Sequence, residues 1–139
     1  MQFDIKNNIN EISRICDEVQ KFCNENDVSE EKYHDVALIL DEMITNIINY
    51  AYPDGGEHNF TMKIEKNDDW INISLIDNGI AFDPLSLENP DTESSIEERQ
   101  IGGLGIFIVK QLSEVVEYSR IDDKNKLDIK ISIHNKQGE

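Results

Sequence analysis

YHDVALILDEMITNIINYAYPDGGEHNFTMKI, residues 33–64, decides the fold, because the spacing of its apolar side chains changes partway along. Tyr33, Val36, Ala37, Leu40, Met43, Ile44, Ile47, Ile48 and Ala51 recur at three- and four-residue steps, the period that gathers them on one broad stripe of a helix. Pro53, Gly55 and Gly56 then stop it. Beyond that turn Phe60, Met62 and Ile64 alternate with polar neighbours, the pattern of a strand with one buried face.

Upstream, Ser29 followed by Glu30 and Glu31 offers this helix a cap, with acids at the positive end of its dipole. An earlier helix is marked by Ile9, Ile12, Cys16, Val19, Phe22 and Cys23, with Asn7 or Asn8 as its cap and a possible edge strand at FDI before it. Downstream, the KNDD turn leads to Ile71, Ile73 and Leu75, closing a hairpin whose core Trp70 is expected to cap. Residues 83–101 are polar, acid-rich and too poor in apolar anchors to pack firmly, which points to a lid or a disordered insert. GGLGIFIVKQL reads as a glycine turn entering a short helix, and a second hairpin turns around DDKNK between Val116, Tyr118 and Leu127, Ile129, Ile131, Ile133. Helix, helix, hairpin, lid, short helix, hairpin predicts an α+β fold, a two-layer α/β sandwich with helices on one face of a mostly antiparallel sheet. The βαβ rhythm of a dinucleotide fold and the Walker A spacing are both missing.

A chain of 139 residues supports one domain, here taken as 1–139 with the lid at about 83–101. Its 13 basic and 29 acidic side chains give a formal charge of −16, which repels phosphate backbones and anionic membranes, so no direct nucleic-acid or membrane contact is expected. With no long apolar run and no leader-like start, a cytoplasmic location is expected. Cys16 and Cys23 lie roughly 10 Å apart along one helix at about 1.5 Å per residue, too far for a disulfide. His34 is read as a surface residue, His58 and His134 share no metal-like spacing, and Lys110 is read as a helix-end charge.

Three polar constellations remain. Glu42, Asn46 and Asn49 share one helix face; the plain alternative is a solvated edge, but a carboxylate one turn from a carboxamide can take a proton while the amide oxygen holds Mg²⁺. Asp77 ends a strand and Gly79 follows, so the carboxylate can accept from an exocyclic amine where the backbone comes close to a flat ligand; otherwise it is a strand and a turn. Gly102, Gly103 and Gly105 precede a helix whose free N–H groups can face an anion, or form an ordinary loop.

Taken together, Glu-x3-Asn on a helix, Asp-x-Gly after a strand, a variable lid and Gly-x-Gly opening a helix resemble the N, G1 and G2 boxes of the GHKL ATPase and kinase superfamily. DEMITNIINYAYP, DNGIAFDPL and GGLGIFIVKQLSEVVEYSR are similar to the anti-sigma factor serine/threonine kinases. The resemblance implies a Bergerat-type ATP-binding fold with a mixed sheet, and transfer of the ATP γ-phosphoryl to Ser or Thr of a small anti-sigma antagonist protein. It implies Glu42 as general base, Asn46 as the Mg²⁺ ligand and Asp77 with Gly79 at adenine. Gly103 and Gly105 would contact the phosphates, Gly102 would help hinge the lid, and Arg99 would steady the γ-phosphate. A sigma factor is the other implied partner, and a homodimer is possible. Asn49, Tyr50 and Ala81 depart from the family pattern. Two rival readings stay open: a nucleotide-sensing anti-sigma binding module without significant kinase activity, and a detached histidine kinase catalytic domain.

Overall fold

A computed structural model of the chain describes residues 1–86 and 103–134. Strand β1 (Gln2–Lys6) is followed by α1 (Glu11–Glu25) and α2 (Glu30–Asn46), then by a π-helical turn over Ile47–Ala51. Hairpin β2 (Asn59–Lys66) and β3 (Trp70–Asp77) comes next; a 3₁₀ turn at Pro84–Ser86, helix α3 (Gly103–Leu112) and hairpin β4 (Val115–Ile121) and β5 (Lys124–Ser132) complete the order. The sheet has five strands in the order β1-β2-β3-β5-β4. Every described pairing is antiparallel, so no mixed pairing is present among the described residues.

The capping expectation holds at α2, where Ser29 Oγ accepts from Lys32 N–H at 3.1 Å. It fails at α1, which begins at Glu11 with Asn10 as an N-cap that makes no side-chain bond. Asn8 turns the chain instead, its Oδ1 accepting from Asn10 N–H, while Asn7 bonds Gly56 O and His58 N–H across the fold. Ile9 therefore lies outside the helical period and is exposed, and the buried stripe of α1 is Ile15, Val19, Phe22 and Cys23 rather than one through Cys16.

FDI does form an edge strand. Its outer edge is occupied by an ion pair from α1: Arg14 donates to Asp4 O at 2.9 Å, and Glu11 accepts from Lys6 N–H at 3.1 Å. These side chains satisfy groups that would otherwise be open to strand addition. The inward rows Phe60, Met62, Ile64 and Ile71, Ile73, Leu75 are buried against the helices, as is Leu127, Ile129, Ile131 on β5. Asp122 and Asp123, at φ 52 and 62, make the two-residue turn between β4 and β5, since the primed turns that match strand twist need positive φ at both positions. Trp70 does not cap the core; it is half-exposed, with Lys130 Nζ 4.7 Å over its ring.

Candidate functional site

Two helical turns and two strand ends meet at one side of the core. On α2, Glu42 is half-buried and carries no described ion pair, and burial, reinforced by Asp41, raises its pKa above the ordinary carboxylate value. A Cβ built on Gly105, in the first turns of α3, would overlap the Glu42 carboxylate. The glycine therefore leaves the space in which that carboxylate sits, joining the first and third constellations. One turn on, Asn46 is only 5% exposed and its Nδ2 has no hydrogen-bond partner among the described residues, a buried donor left for an acceptor on a ligand or for a water.

Asn46 and Asp77 line the same cavity, with Met43, Ile47, Ala51, Leu75 and Leu127 as its apolar walls. Its free volume is about 20 Å³. That is room for one water, so a nucleobase enters only after a wall moves. Phe82 and Pro84 form the outer wall, and Phe82 stacks on Tyr50 with ring centroids 5.0 Å apart. Pro84 is buried and Leu85 packs on the core, so the first residues of the expected 83–101 lid are anchored, while residues 87–101 lie outside those described; Asp83 Oδ1 accepting from Leu85 N–H at 2.8 Å makes that turn.

Asp77 is 5% exposed at the end of β3. Burial raises its pKa, while hydrogen bonds from Asn125 and from Gly79 N–H and the nearby Arg120 charge oppose the rise. The same burial, with the Asp77 charge beside it, lifts Tyr52 to about 12. Gly79 is pressed on the π-turn: a Cβ there would overlap the carbonyl of Ala51, which also accepts from Ile80 N–H at 2.9 Å. Gly79→Ala is expected to lower stability by about 1–3 kcal/mol, since the obstruction is backbone that cannot swing aside. Urea unfolding of both proteins checks this, and an unchanged midpoint would contradict it.

Sequence reasoning missed Asn125. Only 5% exposed, it is the register partner of Asp77 across the β3–β5 pair and donates to Asp77 Oδ1 at 2.8 Å and to Ile80 O at 2.7 Å. Its own Oδ1 accepts from Tyr118 Oη at 2.6 Å and from Phe82 N–H at 3.3 Å. Arg120 adds a bond to Gly79 O at 2.9 Å, so hairpin β4–β5 grips the 77–82 turn. Of the other expected site residues, Gly103 is the first residue of α3, and Arg99 and Gly102 lie outside the described residues. Asn49 is exposed, Ala81 is exposed and Tyr50 contributes its ring stack. His34 is exposed, 3.9 Å from Glu30.

Residues 5–131 match the family model of the histidine kinase-like ATPase domain. The chain belongs to that family. Among curated relatives, this ATPase domain is 26% identical over 92 residues to the serine/threonine-protein kinase BtrW of Bordetella bronchiseptica, covering 66% of this chain and 65% of that protein. It is 28% identical over 93 residues to the serine-protein kinase RsbW of Oceanobacillus iheyensis, covering 64% and 59%. The chain thus spans somewhat less than two thirds of the length of these relatives. A chain in the crystal structure of the SiaB–SiaC complex from Pseudomonas aeruginosa superposes with a TM-score of 0.70 at 21% identity, covering 94% of this ATPase domain and 88% of that chain, which shows the same fold. No helix among the described residues is long and apolar enough to cross a membrane.

Proposed function

We propose that the chain is an ATP-dependent protein serine/threonine kinase of anti-sigma regulation, acting on a small antagonist protein, with a sigma factor as its second partner in the cytoplasm. The observation that carries the reading is that Asn46 and the buried Asp77 line one cavity, with the half-buried Glu42, which makes no ion pair among the described residues, one helical turn away against Gly105. The names of the two kinase relatives support it.

Asp77 would accept from the exocyclic amine of adenine, and the start of α3 would face the phosphates with its N–H groups. Glu42, its proton affinity raised by burial, would take the proton from an acceptor Ser or Thr hydroxyl as that oxygen bonds the γ-phosphorus and ADP leaves. The Asn46 carboxamide fits a Mg²⁺ ligand through its oxygen, the hard donor that ion prefers, at the wall of the cavity, and the ion would neutralise phosphate charge there.

The test is transfer of ³²P from γ-labelled ATP to a candidate antagonist. An acid-stable phosphoserine or phosphothreonine product is expected. An acid-labile product would point to histidine phosphorylation instead, and complex formation without transfer would favour the second reading, a nucleotide-sensing regulatory module. The narrowness of the cavity favours that second reading to one extent: a nucleobase needs more room than about 20 Å³, so its entry would displace lining side chains, and such a movement can report binding to a partner.

A further inference from the structure

Every hydrogen-bonding position on the Asn125 carboxamide is in use. Both Nδ2 hydrogens are spent on Asp77 Oδ1 and Ile80 O, and the Oδ1 lone pairs on Tyr118 Oη and Phe82 N–H. A backbone carbonyl can only accept and a backbone N–H can only donate, so Ile80 and Phe82 fix which way the amide points. Asn125 is therefore a donor to Asp77 and has nothing left with which to touch a base. Asp77 Oδ1 receives a second bond from Gly79 N–H at 2.9 Å, and no described group donates to Oδ2.

We propose that Asn125 is the positioning residue that sets nucleobase specificity: by donating to Asp77 it keeps that carboxylate a pure acceptor at the cavity wall, so the site takes a base with an exocyclic amine and refuses one with a carbonyl at the same place. This deepens the ATP-site reading above and rests on it. The charged and titratable groups facing Asp77 are Tyr52 from the π-turn and Arg120 and Tyr118 from β4, while Asn46 from α2 is neutral. None of these makes a described hydrogen bond to the Asp77 carboxylate, so Asn125 and the Gly79 N–H are the donors that oppose its protonation. A protonated Asp77 would become a donor and would accept a base carbonyl.

Asn125→Asp tests this with almost no change of shape. It removes the fixed amide donor, retains an acceptor for Tyr118 and Phe82, and sets a second carboxyl against Asp77, so the pair shares a proton at higher pH and Asp77 is no longer held as a pure acceptor. Titration with ATP and with GTP from pH 5 to 8 should show ATP binding weakened about tenfold at neutral pH, a smaller ATP-over-GTP preference, and loss of ATP binding at a higher pH than in the wild type. Asn125→Thr, which keeps a hydroxyl donor, should restore part of the preference. If Asn125→Asp binds both nucleotides with the wild-type ratio across that range, or loses both equally at every pH, Asn125 is structural only and the inference is wrong. Wild-type protein that binds neither nucleotide would instead remove the ATP-site reading itself.

Discussion

Glu42→Ala is expected to lower γ-phosphoryl transfer by about 10²–10⁴-fold while ATP affinity stays close to wild type, the range for removing a general base that has no part in holding the base or phosphates. Glu42 does not line the cavity shared by Asn46 and Asp77, which is why binding should survive. Its usefulness as a base comes from its setting: half-buried, without a described cation beside it, and with Asp41 opposing its charge, it binds a proton more readily than a surface carboxylate. Gly105 contributes by leaving room, since any side chain there would displace the carboxylate. Single-turnover transfer with labelled ATP, run beside a calorimetric ATP titration, separates the two effects. Wild-type transfer by the variant would remove Glu42 from the mechanism, and equal loss of binding and transfer would make it a structural residue.

The parts of this fold that were legible are those where one physical signal acts alone. Strands β2, β3 and β5 follow from strict alternation, and α2 from a long stripe with Ser29 capping it. The start of α1 was not legible because Asn7, Asn8 and Asn10 are all able to cap, and only tertiary bonds from Asn7 to Gly56 and His58 decide among them. The π-turn was hidden because Ile47 to Ala51 continue the apolar stripe of α2, and what distinguishes them is the approach of Gly79 and Ile80 to the Ala51 carbonyl. In the site, Asp77 and Gly79 were read from a motif, whereas Asn125 was lost inside a polar turn. A signal for it existed: Leu127, Ile129 and Ile131 are the inward row of β5, and Asn125 continues that row as its polar member, as Asp77 does after Ile71, Ile73 and Leu75. A polar residue extending a core-facing row must find a partner, and here the two find each other.

Asp77→Asn is expected to weaken ATP binding by at least about 10- to 150-fold, because a charge-assisted hydrogen bond worth about 1.5–3 kcal/mol is replaced by an amide that can set a donor against the amine. The same substitution should not destabilise the protein, and the sign follows from burial. Asp77 has a folded-state pKa above its ordinary value, so between the unfolded and folded values the native state holds more protons than the unfolded state. Stability then falls as pH rises through that window, which makes the ionised carboxylate at neutral pH a cost to folding rather than a gain. An isosteric neutral amide removes that cost and can still accept from Asn125 and Gly79 through its oxygen. Thermal unfolding at pH 7 should therefore show the variant at or above wild type, while at a pH below both carboxyl pKa values the difference should shrink. A variant that loses ATP binding and stability together at pH 7 would mean that Asp77 serves the fold, and the trade of stability for recognition at this position would not exist.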